Sequence, residues 1–557
     1  MKILISVFLI FYSFTIFPIN CVAQNNFYKN GMVSSADEIA SEIGIEVMKK
    51  GGNAIDASVA VGFALAVVYP QAGNIGGGGF MVIHLNDGRN TSIDYREKAP
   101  LLSHRDMFLD KNGNVIDGLS TTGHLSGGVP GSVKGLLFAL EKYGTMKREE
   151  VLTYAINLAE NGFEISPRLA KVLNEYQNQF SKFPSTMKIF GKNWKAGDLL
   201  IQKDLANTLR LISNYGAEGF YTGYVADKIV EEMKLYDGLI SYEDLLKYEA
   251  KERAVVTGTY KGYEIISMGP PSSGGISLIY LLNILEQENL GKYGYGSADA
   301  ISVMTEGMRV VYADRSEHMA DIDFYEVPVN VLTSKEYARK RFDNFGNDRA
   351  RNSDEIKPGN IAKEKENTTH YSIADKDGNC VSVTTTINDN FGSKLVIEGA
   401  GFFLNNEMDD FVSKPGVPNM FGLLGSEANS ISPEKRMLSS MTPTIVLKDG
   451  KPFMITGSPG GGRIITAVLM SIINVIDFGM NIVDAVDKPR FHHQWYPDEI
   501  QAENGMLSET VRKELVKRGY KINDFRDYAS LDVIIFNDNG EMRGHSDRRG
   551  YGKAIGY

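Results

Sequence analysis

Residues 367–388 read NTTHYSIADKDGNCVSVTTTIN. Two stretches rich in β-branched and aromatic residues, 371–374 and 380–387, flank Asp375-Lys376-Asp377-Gly378-Asn379, a run of turn formers. The stretch therefore predicts a β-hairpin. If the turn pivots on Asp377, Thr368 lies opposite Thr386, and Asn388 sits near the strand end. Taken alone, Asn367-Thr368-Thr369 also fits a glycosylation sequon or a plain threonine-rich strand start. Two facing hydroxyls add a chemical reading. A buried hydroxyl is a poor nucleophile without an adjacent base, and a cut between Asn367 and Thr368 would provide one. It would free the Thr368 α-amino group, whose ordinary pKa of about 7.7–8.0 suits a base near neutrality.

Outward from this hairpin, further pairs are expected. Residues 80–85 and 91–95 turn at Asn86-Asp87-Gly88, and 444–447 and 453–456 turn at Asp449-Gly450. A last strand, 533–536, precedes Asn537-Asp538-Asn539-Gly540. Ser35 is expected to cap a helix over 36–50, closed by Gly51-Gly52. The next helix, 55–68, is apolar almost all round and so should be buried. Residues 150–250 and 297–347 read mainly as amphipathic helices. Hairpins separated by long helices predict an α/β (α+β) protein with two antiparallel sheets covered by helices on both sides. Residues 411–437, with Lys414-Pro415-Gly416-Val417-Pro418, lack periodicity and are expected to form a lid loop.

Two glycine runs read differently. A phosphate cradle needs a strand before its glycines and a helix after them. Gly76–Gly79 shows the reverse order, so close backbone packing is the expectation there. Ser458-Pro459-Gly460-Gly461-Gly462 follows a strand and leads into an apolar helix at 464–476. Its amides would lie at a helix N-terminus, suited to negative charge or a developing oxyanion. A tight turn without a ligand is the alternative. No histidine spacing suits a metal: His492 and His493 are adjacent, and Glu317-His318 with Asp321 and Asp323 reads as a polar helix end. No Gly-x-Ser-x-Gly supports a serine triad. Neither metal nor cofactor is expected.

The 557 residues carry a net charge of −10, with 43% hydrophobic and 23% charged residues, an ordinary globular composition. An acidic balance argues against nucleic acid or an anionic membrane as partner. Lys2, an apolar run over 3–19 and Cys21-Val22-Ala23 read as a signal peptide cut before Gln24, and so as a periplasmic or secreted protein. An uncleaved anchor and lipid attachment at Cys21 are the alternatives. Only Cys21 and Cys380 exist, so removal of 1–23 would leave Cys380 alone, without an intrachain disulfide. Its place in a strand pattern reads as packing.

Beyond the hairpin, the chain resembles the γ-glutamyltranspeptidase family along nearly its whole mature length. The resemblance is carried by Gly51-Gly52-Asn53-Ala54-Ile55-Asp56-Ala57, Pro70-Gln71-Ala72-Gly73-Asn74 with the four glycines, and Asp94-Tyr95-Arg96-Glu97. Gly269-Pro270-Pro271-Ser272-Ser273-Gly274-Gly275, Asn367 to Ser372 and Asn405-Asn406-Glu407-Met408-Asp409-Asp410-Phe411 continue it. Leu438-Ser439-Ser440-Met441, Ser458-Pro459-Gly460-Gly461 and Arg490-Phe491-His492-His493-Gln494-Trp495 complete it.

The resemblance implies a four-layer αββα sandwich of the N-terminal-nucleophile hydrolase type. It implies self-cleavage by Thr368 at the Asn367 carbonyl, giving a large subunit, 24–367, and a small one, 368–557, paired as a heterodimer. Thr368 would then attack γ-glutamyl amides such as glutathione and pass the acyl group to water, an amino acid or a dipeptide. By the same resemblance Gly460 and Gly461 supply oxyanion amides, and Thr386 positions the nucleophile. Arg96 pairs with the substrate α-carboxylate, helped by Ser439 and Ser440. Asn388, Glu407 and Asp410 receive the α-amino group. Phe421 stands in the lid where close bacterial relatives have Tyr, and Glu407 where some have Gln. An acylase of the same superfamily acting on glutaryl-like side chains, or a processed but inactive binding protein, would share part of this pattern.

Overall fold

The computed structural model describes residues 26–343, 345, 348–359, 369–424, 427–525 and 529–557. Two antiparallel sheets dominate. The first runs Lys553–Gly556, Gly31–Ser35, Thr369–Asp375, Cys380–Thr386, Gly78–His84, Asn90–Asp94, Lys251–Arg253. The second runs Met542–Ser546, Asp532–Phe536, Lys451–Thr456, Thr444–Lys448, Tyr263–Ser267, Val256–Tyr260.

Side-chain alternation along the strands sorts the core into three layers. Met81 and Ile83 face one way, with Val33, Ile373 and Val381, onto the helices Glu38–Lys49, Ala54–Val68 and Ser132–Tyr143. Phe80 and Val82 face the other way and meet Ile266, Ile445, Ile455 and Ile534 of the second sheet. That sheet's outer face, with Ile265, Val446 and Val533, packs on Gly274–Leu285, Ala298–His318 and Arg463–Ile476. The order is helix, sheet, sheet, helix, the αββα sandwich. Cys380 is a free thiol in the layer between the sheets, and burial pushes its pKa up. Packing is its role there.

The central hairpin forms as its sequence predicts. Cys380 pairs with Ala374, Ser382 with Ser372 and Thr385 with Thr369, the register of a turn centred on Asp377. Asn367 and Thr368 lie outside the described residues, as does the whole segment 1–25. The helix after the lead starts later than expected. Ser35 ends the strand Gly31–Ser35, held between Lys553 and Tyr371, and Asp37 caps Glu38–Lys49 by accepting from the Ile39 amide at 2.9 Å. Ser35 Oγ donates to the Asp37 carbonyl instead. Residues 411–424 and 427–437 are largely irregular, with one short 3₁₀ turn at Glu427–Asn429 and a bridge between Val412 and Ser430.

A buried acid joins the sheets beside the hairpin. Asp532 accepts from Ser34 Oγ at 2.9 Å and Ser546 Oγ at 2.7 Å, and its carbonyl accepts from Ser372 Oγ. Burial pushes its carboxyl up to about 7, against the lowering effect of the two serines. Asp547 raises it further and His545 opposes it slightly. Because the folded pKa exceeds the unfolded value of 3.8, the folded chain holds the extra proton between about pH 4 and 7. This group's contribution is intact below that window and is lost as pH rises through it, at a rate of about 1.4 kcal/mol for each step of one in pH. Asp532→Asn keeps the neutral form at every pH. Thermal melts should show its Tm relative to wild type rising from pH 4 to 7; a difference independent of pH would contradict this.

Candidate functional site

Thr386 ends its strand opposite Gly78 and is 1% exposed. Its hydroxyl accepts from the Asn388 amide at 2.7 Å, and its carbonyl from Asn74 Nδ2 at 2.9 Å. The four-glycine run explains itself here. A Cβ on Gly77 would fall 2.0 Å from the Thr386 carbonyl oxygen, so only glycine lets the two backbones approach. This is the close packing read from the sequence, and it fixes the strand end that carries Thr386. Asn388 takes the left-handed conformation, with φ of 72°, and its Nδ2 donates to the Asn406 carbonyl at 3.0 Å. Its Oδ1 is buried without a partner.

The Asn406 carbonyl leads straight into the 3₁₀ turn Glu407–Asp410, where the charged centre lies. Arg96 follows the strand Asn90–Asp94 and is fully buried. Its Nη1 bonds Glu407 Oε1 and approaches Glu97 Oε2 at 3.4 Å, and its Nη2 donates to Asp410 Oδ2 at 2.7 Å. Backbone carbonyls of Met437 and Leu438 take its Nε and Nη2. Asp94, a neighbour in sequence, holds the Arg96 amide but spends its carboxylate on Arg253 and Arg436. A surface ion pair with Asp94 or Glu97 is thus ruled out as the whole account of Arg96.

Three buried carboxylates surround one guanidinium. Burial pushes Glu97, Glu407 and Asp410 up, and the Arg96 charge works against that in each case. Glu97 and Glu407 share a side-chain hydrogen bond, and burial together with that bond favours the protonated form of Glu407. Asn388 Oδ1 remains the unpartnered acceptor. A buried acceptor without a donor costs about 1–3 kcal/mol, so this position suits an N–H donor.

Ser439 and Ser440 follow Leu438 directly. The Ser439 carbonyl accepts from the Ser273 amide and hydroxyl, at 2.6 and 2.7 Å, and its own amide donates to Pro271. Ser440 Oγ accepts from Arg315 Nη2, and Arg315 Nε donates to Ser273 Oγ at 3.0 Å. The Gly269–Gly275 segment is therefore the platform under both serines. Arg315, on the helix Ala298–His318, was not singled out by the sequence, because its helical surroundings carry no local sign of the serines it meets.

Gly460 and Gly461 take φ of +127° and +61° immediately before the helix Arg463–Ile476. A side chain at Gly460 would also strike Ala529, at 2.7 Å. The turn thus presents its amides at a helix N-terminus, as the sequence implied. Residues 419–423 span the two halves of the site. Asn419 Nδ2 reaches Asp410 Oδ1 at 3.4 Å, and Gln494 Nε2 reaches the Phe421 carbonyl at 3.4 Å. Leu423 packs beside Gly462.

His370, in the hairpin, is buried between Thr384 Oγ1 at 3.1 Å and Ser372 Oγ at 2.9 Å. Burial pulls it down to about 3, so it is neutral at physiological pH. His492 and His493 are likewise pulled down by burial, and His492 bonds Thr466 and Gln494. His318, expected in a polar helix end, is wholly buried. Among the described residues no group of three or more His, Cys, Asp or Glu could hold a metal ion, and no helix is long and apolar enough to cross a membrane.

A hydroxyl-bearing strand end, a glycine turn at a helix N-terminus and a buried charged receptor in an αββα sandwich define an acyl-transfer site of the N-terminal-nucleophile hydrolase class. The match to the Gamma-glutamyltranspeptidase family model covers residues 40–557, and the chain belongs to that family. It is 48% identical over 526 residues to the glutathione hydrolase proenzyme of Escherichia coli (strain K12), covering 94% of this chain and 90% of that protein. The crystal structure of Helicobacter pylori γ-glutamyltranspeptidase is similar at 52% identity and a TM-score of 0.58, over 58% of this chain and 95% of that one. The cephalosporin acylase of Bacillus halodurans superposes with a TM-score of 0.85 at 26% identity, covering 96% of each chain.

Proposed function

We propose that this chain is a self-processing γ-glutamyl transferase and glutathione hydrolase with Thr368 as nucleophile. The observation that carries the substrate reading is the buried receptor. A guanidinium can hold a carboxylate through two parallel hydrogen bonds, and Arg96 would do so by exchanging Glu407 and Asp410, which take its Nη atoms here. The three acids around one guanidinium, with the unpartnered Asn388 Oδ1, suit an ammonium. A γ-glutamyl group carries both on one carbon. A glutaryl group carries only the carboxylate, which would leave the acceptor of Asn388 unmet. That favours the γ-glutamyl reading over an acylase.

Thr368 first attacks the Asn367 carbonyl, and the peptide nitrogen of Thr368 departs as its own α-amine. Water opens the resulting ester. The free amine then takes the hydroxyl proton as Thr368 attacks the γ-carbonyl of the substrate. Gly460 and Gly461 amides stabilise the tetrahedral oxyanion, and the proton passes to the leaving amine. Water, an amino acid or a dipeptide accepts the acyl group. The parts are a large subunit ending at Asn367 and a small one, 368–557, with 1–23 as an export signal to the periplasm or medium. No cofactor enters these steps.

Intact-mass analysis with N-terminal sequencing tests the scheme. Two chains, the smaller beginning at Thr368, are expected; an active preparation that remains one uncut chain ends it. Thr386 offers a finer test. Its hydroxyl is fixed by the Asn388 amide, and continuing the register one pair beyond Thr385–Thr369 would set it opposite Thr368. Thr386→Ala should slow both processing and turnover by about tenfold to a hundredfold, the worth of one hydrogen bond of about 1–3 kcal/mol to a reacting group. Wild-type kinetics would show that the pair does not operate.

A further inference from the structure

Segment 351–359 is the last part of the described chain before the expected cut, and residues from beyond that cut grip it. Ser353 is fully buried. Its amide donates to Asp498 Oδ2 at 2.9 Å, and its hydroxyl donates to the Trp495 carbonyl at 2.7 Å. The Trp495 indole N–H lies between the carbonyls of Ser353 and Ile356, at 3.0 and 3.1 Å. Tyr496 OH bonds Asp354, and Ile356 is buried in the outer core of the second sheet.

Arg309 closes the arrangement. Its Nη1 bonds both Ser353 Oγ and Asp498 Oδ1, while Glu306 pairs with Arg309 and Arg351. The two cations and two carboxylates balance, and His493, neutral through burial, meets Asp498 at 3.2 Å. Trp495 itself has φ of +68°, a conformation a bulky residue holds only where its surroundings over-determine it.

We propose that Trp495, Asp498 and Arg309 form a clasp that positions the scissile segment for self-cleavage and afterwards retains the tail of the large subunit on the small one. The inference rests on the cut between Asn367 and Thr368. The grip continues toward the cut, where Arg341 donates to the Lys357 carbonyl and the Gly359 amide to Asp314, about 8 residues before the cut by sequence. A reacting carbonyl displaced by about 1 Å can lose about a hundredfold in rate, so loosening 353–356 should be felt at the cut.

Before the cut the clasp lies within one chain; after it, the same hydrogen bonds join two subunits. None of its residues touches Thr386, Arg96 or the glycine turn in the bonds described above. Its loss should therefore separate maturation from turnover.

The test compares Trp495→Phe, which keeps an aromatic ring but deletes the indole donor, with Ser353→Ala. Purified precursor is followed by gel for its processing half-time, and fully matured enzyme is assayed for kcat and KM. Either variant should process about tenfold more slowly, while kcat/KM after maturation stays within about twofold of wild type. Wild-type half-times in both variants would overturn the clasp. So would an equal loss in matured kcat/KM, which would mark a general structural lesion. A wild-type chain not cut before Thr368 would instead overturn the reading on which the clasp depends.

Discussion

Thr368→Ala yields a folded chain that remains uncut and turns over γ-glutamyl substrate at least about 10⁴-fold more slowly than wild type. The size follows from the role: removing the nucleophile of an acyl-transfer site typically costs up to about 10⁶ in kcat. Folding should survive, because the strand that follows is held on both edges. Thr369–Asp375 pairs with Gly31–Ser35 on one side and Cys380–Thr386 on the other, and Tyr371 and Ile373 lie in the core. A methyl in place of the Thr368 hydroxyl and γ-methyl leaves that pairing untouched. Thr368→Ser keeps the attacking oxygen and should still process, more slowly. Gel analysis and a steady-state assay read both variants together. Normal cutting or turnover in the alanine variant would move the nucleophile elsewhere.

The same hairpin shows what a single chain makes legible. Its register follows from local facts, a turn-forming run and a period of two, and the pairs from Cys380–Ala374 to Thr385–Thr369 follow it. The Gly460-Gly461 turn was equally readable, since strand, glycines and helix follow one another without a gap. Legibility fails where the partner is remote. Ser35 reads locally as a cap, but its strand is completed by Lys553–Gly556 at the other end of the chain, and Asp37 takes over the cap. Arg96 and Glu407 lie 311 positions apart, and no periodicity brings them together. Only motif resemblance did so. Arg315 beneath Ser440 lacked even that, as did the joining of Ser353 to Trp495 and Asp498. The physical reason is the same each time: a buried polar group chooses its partner by tertiary packing, which leaves no trace in the spacing of neighbours.

Arg96→Lys should lower kcat/KM for γ-glutamyl-p-nitroanilide by about 10²–10³-fold while leaving self-cleavage largely intact. Arg96 is held at every nitrogen: Nε by Met437, Nη2 by Leu438 and Asp410, Nη1 by Glu407 and Glu97. Its planar fork is thus fixed by the backbone beside Ser439, and a substrate carboxylate would exchange with Glu407 and Asp410 on its Nη atoms. An ammonium on a flexible stem reproduces the charge but neither the two parallel bonds to a carboxylate nor the backbone contacts. Losing two charge-assisted bonds, at about 1.5–3 kcal/mol each, accounts for a loss of that order, with some charge attraction retained.

Self-cleavage uses no α-carboxylate, so it should not feel the change beyond any local loosening. Substrate choice completes the test. The wild type should prefer the γ-glutamyl anilide to the glutaryl anilide by at least about a hundredfold. The glutaryl group brings no ammonium, so the unpartnered acceptor of Asn388 stays unmet, at about 1–3 kcal/mol, and the acids around Arg96 gain no second cation. Steady-state kinetics on both anilides, with gels of precursor maturation, decide the matter. Equal use of the two substrates, or indifference to the lysine, would favour an acylase whose buried carboxylates serve only to anchor Arg96.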